Sequence, residues 1–309
     1  MMRRSLSIVL ALLFFSVPAF AEKWSFAVVA DNRSAFASYR NVLEEIQNMT
    51  VNPDHAFSPI DFVLAVGDLS PVAKNDEIYR QVFKEKAPPF FPVRGNHENA
   101  DDVEYLLKKM IPALGKSVKM YDSKSINYYA DWKNVRLIVL DQYSRFARSF
   151  NNIEMIRWVE DSIASAQNAE HIFVTYHEPY IPDDPETDPF WSMLLKHRDK
   201  VKAVFVGHTH VYHWRRIPND LGGIYLINAG NAGRVSHSDH RQTIVEVSVD
   251  GKNLTFRAVQ APNGTSDFKL RDEWRISQAV SGCTRRPALG VENLGLVKNQ
   301  LPGLAPLLS

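Results

Sequence analysis

Short apolar runs rich in β-branched and aromatic residues alternate with segments of helical spacing along most of the chain. Runs such as 24–30 and 61–67 have the length and composition of buried strands. Between them, residues 36–49 place Phe36, Val42 and Ile46 on one helical face. This alternation predicts an α/β fold with mixed sheets, parallel where a helix intervenes and antiparallel at hairpins.

The pattern predicts most elements individually. Strands are predicted at 24–30, 61–67, 89–95, 126–132, 135–141, 171–177, 202–208 and 223–230, and helices at 36–49, about 101–112 and 153–167. The runs "QTIVEVSV" and "LTFRAVQ" flank Asp250–Gly251, which predicts a hairpin turning at that dipeptide. Residues 181–189 are rich in Pro and Asp and are predicted to form a loop.

The first 21 residues have the features of a signal peptide, and the rest of the chain is predicted to form a domain and a tail. A basic start, "MMRRS", precedes an apolar stretch of about twelve residues, and Ala19 and Ala21 provide a small-x-small cleavage site. We expect cleavage after Ala21 and a secreted, periplasmic protein; an uncleaved membrane anchor is the alternative. Residues 22–262 are predicted to form the domain. Residues 263–309 are predicted to form a tail, partly ordered or packed on the domain, because strand and helix patterns fade there.

Composition excludes several classes of protein. The net charge of the 309 residues is +1, and no basic block is interleaved with aromatic residues, so nucleic-acid binding is not expected. No later stretch is long and apolar enough for a stable membrane anchor. Cys283, the only cysteine, cannot close an internal disulfide. Nothing in the sequence predicts the oligomeric state.

Polar side chains able to bind a cation follow five of the predicted strands. The residues at these strand ends are Asp31, Asp68, Asn96, His97, Glu98, His177, His208 and His210. In open α/β sheets the ligand site lies outside the carboxyl ends of the strands, where side chains distant in sequence meet. Gly67, Gly95 and Gly207 directly precede three of these groups and allow the chain to turn sharply there.

The chemistry of these side chains indicates a pair of metal ions. Asp31 and Asp68 offer carboxylate oxygens and Asn96 a carbonyl oxygen. Imidazole nitrogens come from His177, His208 and His210, and the mixture suits Zn, Mn or Fe better than Ca. Six candidate ligands exceed the needs of one tetrahedral ion. They suit two divalent ions about 3.5–4 Å apart that share a carboxylate.

The motifs "ADNR", "GDLS", "GNHE", "YHEP" and "GHTH", in this order, resemble the calcineurin-like metallophosphoesterase family. The resemblance spans roughly residues 24–235. It implies a four-layer α/β/β/α sandwich with two mixed sheets. It also implies hydrolysis of a small phosphate mono- or diester by a hydroxide held between two metal ions.

The resemblance further implies a role for each residue of the motifs. Asp68 would bridge both ions and take part in catalysis. Asp31 and His210 would complete the first site, and Asn96, His177 and His208 the second. His97 would contact the phosphate and protonate the leaving group, and Asn96 would also lie against the substrate.

Arg33 departs from the family pattern, which has a histidine at this position. Arginine stays protonated and does not ligate a metal. Either the first ion is held by Asp31, Asp68 and His210 with waters, or the guanidinium takes part of that space and binds the substrate phosphate. We expect a weaker first ion with Arg33 near the phosphate. The rival hypothesis is a metal- or phosphate-binding protein with little turnover.

Four further residues lie near these motifs in sequence. Glu98 is predicted to accept hydrogen bonds behind the ligands. Tyr143 would either face the substrate or lie in the core. Asn228 and Asn231 would either line the pocket or serve turns.

Overall fold

The computed structural model describes residues 23–51, 59–219, 222–233 and 240–277. Its strands are β1 (Trp24–Val29), β2 (Ile60–Val66), β3 (Phe90–Val93), β4 (Val118–Met120), β5 (Tyr128–Trp132), β6 (Val135–Val139), β7 (His171–Thr175), β8 (Val201–Val206), β9 (Tyr212–Ile217), β10 (Ile224–Ala229), β11 (Arg241–Asp250), β12 (Asn253–Pro262) and β13 (Lys269–Ile276). Its α-helices are α1 (Phe36–Val51), α2 (Val72–Phe83), α3 (Ala100–Tyr105), α4 (Ile111–Ala113), α5 (Ile153–Ala164) and α6 (Pro189–Lys196). A π-helical segment, Leu106–Met110, joins α3 to α4.

Two mixed sheets contain all of these strands. The first has the order β13-β12-β11-β1-β2-β3, and the second has the order β4-β5-β6-β7-β8-β10-β9. In the first sheet β1, β2 and β3 run parallel, and in the second β6, β7, β8 and β10 run parallel. Helices connect several of these parallel strands, as a parallel crossover requires. The carboxyl ends of the parallel strands are therefore where functional loops gather.

Aromatic side chains fill the space between the two sheets. The ring centroid of Phe26 in β1 lies 5.4 Å from that of Phe173 in β7 and 6.2 Å from that of Phe205 in β8. Ile172 and Val174 point to the opposite face of the second sheet and join the core formed with α5 and α6. Helices α1 and α2 cover the outer face of the first sheet, so the predicted four-layer sandwich is confirmed.

The sequence pattern located the predicted strands and helices to within a few residues. The predicted hairpin is present, and its turn is formed by Gly251 and Lys252, one residue later than predicted, because Asp250 pairs with Asn253. Gly251 has a positive φ of 54°, which favours glycine at that position. The sequence analysis missed five elements, which are α2, α6, β4, β9 and β13.

Strand β13 lies within residues 263–309, the segment predicted to be a tail. It pairs antiparallel with β12 and forms the edge of the first sheet. Most of its side chains are exposed and many are charged, so it lacks the alternation of apolar and polar residues that is typical of a half-buried strand. Residues 1–21 and 278–309, including Cys283, lie outside the described residues. Within the described ranges, every helix is too short or too polar to cross a bilayer.

Candidate metal centre

The predicted ligands come together where the carboxyl ends of both sheets meet. Asp31 follows β1, Asp68 follows β2, and Asn96 follows β3 in the first sheet. His177 and His208 follow β7 and β8 in the second. The amide of Asp31 donates to the Gly67 carbonyl at 3.1 Å, and the amide of Gly207 donates to the His177 carbonyl at 2.8 Å. These backbone bonds fix the strand-end loops of each sheet against one another.

Glycine is required at two of these positions, because atoms of other residues occupy the space that a Cβ would need. A Cβ on Gly67 would lie 2.4 Å from the His177 Nδ1, and the residue has a φ of +83°. A Cβ on Gly95 would lie 2.3 Å from the Asp68 Oδ1. Neither distance is compatible with a side chain, so these glycines let two ligands approach the backbone of neighbouring loops.

Several candidate ligands adopt the left-handed backbone conformation that residues other than glycine rarely use. Asp31, Asp68, His208 and His210 have φ values of 58°, 57°, 70° and 61°, respectively. Each such residue costs on the order of 1–3 kcal/mol and persists only where the surrounding structure holds it. The His208 amide, for example, donates to the Asp31 Oδ2 at 2.9 Å. Strain gathered at one end of the fold marks this end as the functional site.

The first group of ligand atoms belongs to Asp31, Asp68 and His210, which each offer one atom within 4.8 Å of the others. The His210 Nε2 lies 3.3 Å from the Asp31 Oδ1. Asp31 is fully buried, and its Oδ1 has no hydrogen-bond partner among the described residues. A buried carboxylate oxygen without a donor is costly unless a cation satisfies it.

The second group consists of Asn96, His177 and His208. The Asn96 Oδ1 lies 3.2 Å from both the His177 Nε2 and the His208 Nδ1. The Asp68 Oδ1 lies 3.2 Å from the His177 Nε2, so Asp68 contributes to both groups. His177 donates from Nδ1 to the Val66 carbonyl at 2.8 Å, which directs Nε2 toward the other ligands.

The two buried carboxylates of the centre act on the pKa of His177. Burial alone lowers the pKa of this imidazole, but the carboxylates of Asp68 and Asp31 raise the pKa to about 9. Burial raises the pKa of Asp68, and its contacts with His177 and His97 outweigh this and lower it overall. The two buried acids therefore call for positive charge at this position.

His97 and Arg33 lie at the edge of the ligand groups. The His97 amide donates to the Asp68 Oδ1 at 3.1 Å, and its Nε2 lies 3.7 Å from the Asp68 Oδ2. The His97 side chain is exposed, whereas Asp68 is buried. Arg33 is half-buried, has a φ of 41°, and donates from its amide to the Asp68 carbonyl at 3.0 Å. The backbone of Arg33 thus lies directly beside Asp68, the residue common to both groups.

Glu98 supports the centre from behind, as predicted. Its carboxylate accepts hydrogen bonds from the amides of Asp68, Leu69 and Ser70 at 3.2, 2.5 and 2.9 Å and from the amide of Gly95. Burial, partly opposed by these amides and reinforced by the charge of Asp68, raises the pKa of Glu98 to about 7. This one side chain fixes the loops after β2 and β3 relative to each other.

Asn228 and Asn231 stabilise loops at this end of the fold. The Asn228 Nδ2 donates to the Gly207 carbonyl at 2.6 Å and to the Thr209 Oγ1 at 2.8 Å, which positions the His208–His210 loop. The Asn231 Oδ1 accepts from the amide of Gly233 at 2.8 Å. Turn and loop chemistry explains both residues.

No role was predicted from the sequence for Asp141 and Arg94, which lie beside the centre. Asp141 follows β6 and so fits the strand-end pattern, yet it is fully buried and accepts from the amides of Ile126 and Tyr143 at 3.2 and 3.0 Å. Arg94 directly precedes the "GNHE" motif and lies 3.5 Å from Asp141. The sequence feature that could have identified Arg94 is its position directly before that motif.

Comparison with known proteins identifies the chain at the level of a family. A family model described as calcineurin-like phosphoesterase matches residues 25–212. A comparison with curated proteins finds no match. Among solved structures, a Vps29 mutant from Entamoeba histolytica is 12% identical with a TM-score of 0.42, covering 82% of this chain and 99% of its own.

Two further solved structures are similarly distant. A predicted phosphoesterase from Streptococcus pneumoniae is 13% identical with a TM-score of 0.39, covering 83% of this chain and 99% of its own. Vacuolar protein sorting 29 from Cryptosporidium parvum is 13% identical with a TM-score of 0.42, covering 84% of this chain and 100% of its own. Similarity this low gives no information about activity, so the chemistry must be argued from the site.

Proposed function

Because the chain belongs to the calcineurin-like phosphoesterase family, we propose that it hydrolyses small phosphate mono- or diesters with two divalent metal ions. The observation that carries the proposal is the position of Asp68. Its carboxylate lies among the atoms of Asp31 and His210 on one side and 3.2 Å from the His177 Nε2 on the other. A carboxylate between two ligand groups is the arrangement of a two-metal hydrolase.

The residues present fit such ions. Asp31, Asp68 and His210 would hold one ion, and Asp68, Asn96, His177 and His208 the other. The buried Asp31 Oδ1, which has no hydrogen-bond partner among the described residues, and the raised pKa of His177 both support positive charge at this site. Divalent ions of Mn, Fe or Zn would lower the pKa of a bound water to near neutrality and offset charge on the phosphate oxygens.

His97 is the proposed proton donor to the leaving group. Its imidazole is exposed at the mouth of the centre, while the ligands Asp31, Asp68 and His177 are fully or almost fully buried. The His97 Nε2 lies 3.7 Å from the Asp68 Oδ2, which places the ring next to the proposed metal ligands. An exposed imidazolium at this position can contact a phosphate and transfer its proton to the departing oxygen.

Arg33 motivates a second candidate, a metal- or phosphate-binding protein with little turnover. Among the described residues the first ligand group has three side chains, and arginine occupies the position of the family histidine. We favour an enzyme that retains a weaker first ion, with Arg33 contacting the substrate phosphate. Asn96, which is exposed at the mouth, would contact the substrate as well as its ion.

The deciding experiment measures bound metal and turnover together. The mature protein is loaded with Mn, Fe or Zn, its metal content is quantified, and hydrolysis is followed for the monoesters phenyl phosphate and p-nitrophenyl phosphate and for the diester bis(p-nitrophenyl) phosphate. Wild type should bind two ions per chain, and Asp68→Asn should lose both metal and turnover. At most one ion with no turnover in any metal would favour the binding protein.

The role of His97 has its own signature in this experiment. His97→Ala should keep both ions and lose turnover by about 100-fold. The loss should be greater for phenyl phosphate than for p-nitrophenyl phosphate, because the more basic phenolate depends more on a proton donor. His197→Ala is the matched control. His197 lies at the carboxyl end of α6 and contacts Glu160 of α5, away from the ligand groups. Equal losses for both esters would contradict the assignment.

Export remains a proposal that depends on the sequence of residues 1–21. We propose that the protein is cleaved after Ala21 and acts in the periplasm on a small phosphate ester, without nucleic acid and without a stable membrane anchor. Amino-terminal sequencing of protein recovered from fractionated cells tests this. A mature protein that starts at Met1 in the membrane fraction would support the anchor instead.

A further inference from the structure

Asn75 lies near the start of α2 and is almost fully buried, although it belongs to neither ligand group. Its Nδ2 donates to the Leu69 carbonyl at 2.7 Å and to the Arg33 carbonyl at 2.8 Å. Leu69 directly follows Asp68, and Arg33 lies in the loop after β1. One buried side-chain amide therefore joins the loops after β1 and β2 beside the metal centre.

These two bonds fix the orientation of the Asn75 amide. An amide nitrogen carries two hydrogens, and each of them has a carbonyl acceptor here. A flipped amide would place its oxygen against the same two carbonyl oxygens. The Asn75 Oδ1 is buried and has no hydrogen-bond partner among the described residues. The side chain thus leaves its acceptor unpaired while both of its donors hold the two loops.

The backbone of Arg33 is held on both sides. Its amide donates to the Asp68 carbonyl at 3.0 Å, and its carbonyl accepts from Asn75. The Asn32 Nδ2 also approaches this carbonyl, but at 3.5 Å, so it is the weaker donor. Arg33 has a φ of 41°, in a region that residues other than glycine rarely adopt. Such a conformation persists only where the surrounding structure holds it, and Asn75 provides one of the bonds that do so.

The position of the Arg33 guanidinium depends on this backbone. The side chain is half-buried and makes no hydrogen bond or ion pair with another residue of the described ranges. Its direction therefore follows from the conformation of the Arg33 backbone. A guanidinium binds phosphate through two parallel hydrogen bonds only in a narrow geometry, so a shift of this backbone weakens the contact.

We propose that Asn75 is a positioning residue that holds Arg33 where its guanidinium contacts the substrate phosphate. The inference rests on the proposed function, in which Arg33 makes this contact. Asn75 itself touches neither the substrate nor a metal ion, so its effect on catalysis passes through Arg33.

A double-mutant cycle with Asn75→Leu and Arg33→Ala tests this dependence. Leucine has a similar branched shape but no donor for the two carbonyls. Arg33→Ala should lower kcat/KM for p-nitrophenyl phosphate by about 10- to 100-fold, as expected for the loss of hydrogen bonds to a charged group. Asn75→Leu should lower it by about tenfold in wild type and by less than about twofold in Arg33→Ala, because coupled residues are not additive. Metal content should stay at the wild-type value throughout.

Gln47→Leu is the matched control for the loss of a side-chain amide. The Gln47 Nε2 donates to the Val82 carbonyl at 2.9 Å, at the opposite end of α2 from Asn75. This variant should change kcat/KM by less than about twofold in both backgrounds. If Asn75→Leu does not fold, Asn75→Ala removes the same donors without adding volume and takes its place in the cycle.

Three results would overturn the proposal. Asn75→Leu would lower kcat/KM equally in both backgrounds, which would indicate an effect independent of Arg33. It would lower kcat/KM in neither background. Or it would lose bound metal, which would indicate that Asn75 acts through the Asp68 loop instead.

Binding of inorganic phosphate to the metal-loaded protein, measured by calorimetry, separates this proposal from the proposed function. If no ester is hydrolysed, the proposed function fails. The positioning role is then supported if Asn75→Leu weakens phosphate binding about tenfold in wild type and less than about twofold in Arg33→Ala. It is refuted if both backgrounds weaken equally or if wild type binds no phosphate. Hydrolysis that Arg33→Ala leaves unchanged would keep the proposed function and reject this inference.

Discussion

Replacing Gly67 by alanine should separate backbone strain from the demands of the metal centre. Gly67 has a φ of +83°, and a Cβ would lie 2.4 Å from the His177 Nδ1. Gly115 provides the matched control, because its φ is +72° and nothing lies within 4 Å of its added Cβ. Both substitutions incur the left-handed penalty, and only Gly67→Ala displaces a ligand.

The expected magnitudes follow from these two environments. Gly115→Ala should cost about 1–2 kcal/mol, the penalty of a Cβ in the left-handed region. Gly67→Ala should cost about 1–3 kcal/mol more, because the displaced imidazole leaves the buried Val66 carbonyl without its 2.8 Å hydrogen bond. Urea denaturation in the presence of a chelator measures the free energy of unfolding of both variants. The metal affinity of each variant is then measured by titration.

Metal binding gives the second readout of this comparison. Gly67→Ala should lose metal affinity, because the Nε2 of His177 moves with the ring, whereas Gly115→Ala should bind metal like wild type. Equal destabilisation of the two variants, together with unchanged metal content in Gly67→Ala, would refute the account of how His177 is positioned.

Three further predictions concern the buried charges and the metal. Glu98→Gln should destabilise the protein by about 2 kcal/mol at pH 8, because an amide cannot accept all four backbone donors; an unchanged urea midpoint would contradict this. Burial lowers the pKa of His171, so only the unfolded chain gains its proton as pH falls below 6.5, and stability decreases there. Between pH 7 and 5, the free energy of unfolding of His171→Gln should therefore fall by about 1 kcal/mol less than that of wild type. Equal falls for the two proteins in denaturation experiments would contradict this. Removing an ion held at 100 times its Kd should lower the unfolding free energy by about 2.7 kcal/mol for each ion, and Asp31→Asn should abolish only the part due to the first ion in calorimetry.

Much of the candidate site follows from the sequence because strand ends carry their own signal. An apolar run followed by glycine and a carboxylate or imidazole, as at Gly67–Asp68 and Gly207–His208, indicates both the strand and the position of its polar end. The same rule fails for Asp141, whose environment turned it into a buried acceptor for backbone amides. Sequence alone cannot distinguish these outcomes, because the neighbours of Asp141 come from other segments of the chain.

The elements missed from the sequence are those whose pattern is weak on its own. β13 exposes most of its side chains at a sheet edge, so it lacks the alternation that identified the central strands. It forms because β12 offers a free row of backbone donors and acceptors, which is a property of the assembled sheet. Side chains add to this pairing, because the Trp274 ring stacks on Phe256 of β12 with centroids 4.0 Å apart and Glu273 pairs with Arg257 at 2.7 Å.

The sequence by itself determined the α/β class, the order of the central strands along the chain, and the chemical types of the ligands, because periodicity and residue type are local. Only the tertiary structure decided that Asp68 lies between two ligand groups and that Glu98 joins two loops. These are relations between segments far apart in sequence, and packing of the two sheets creates them.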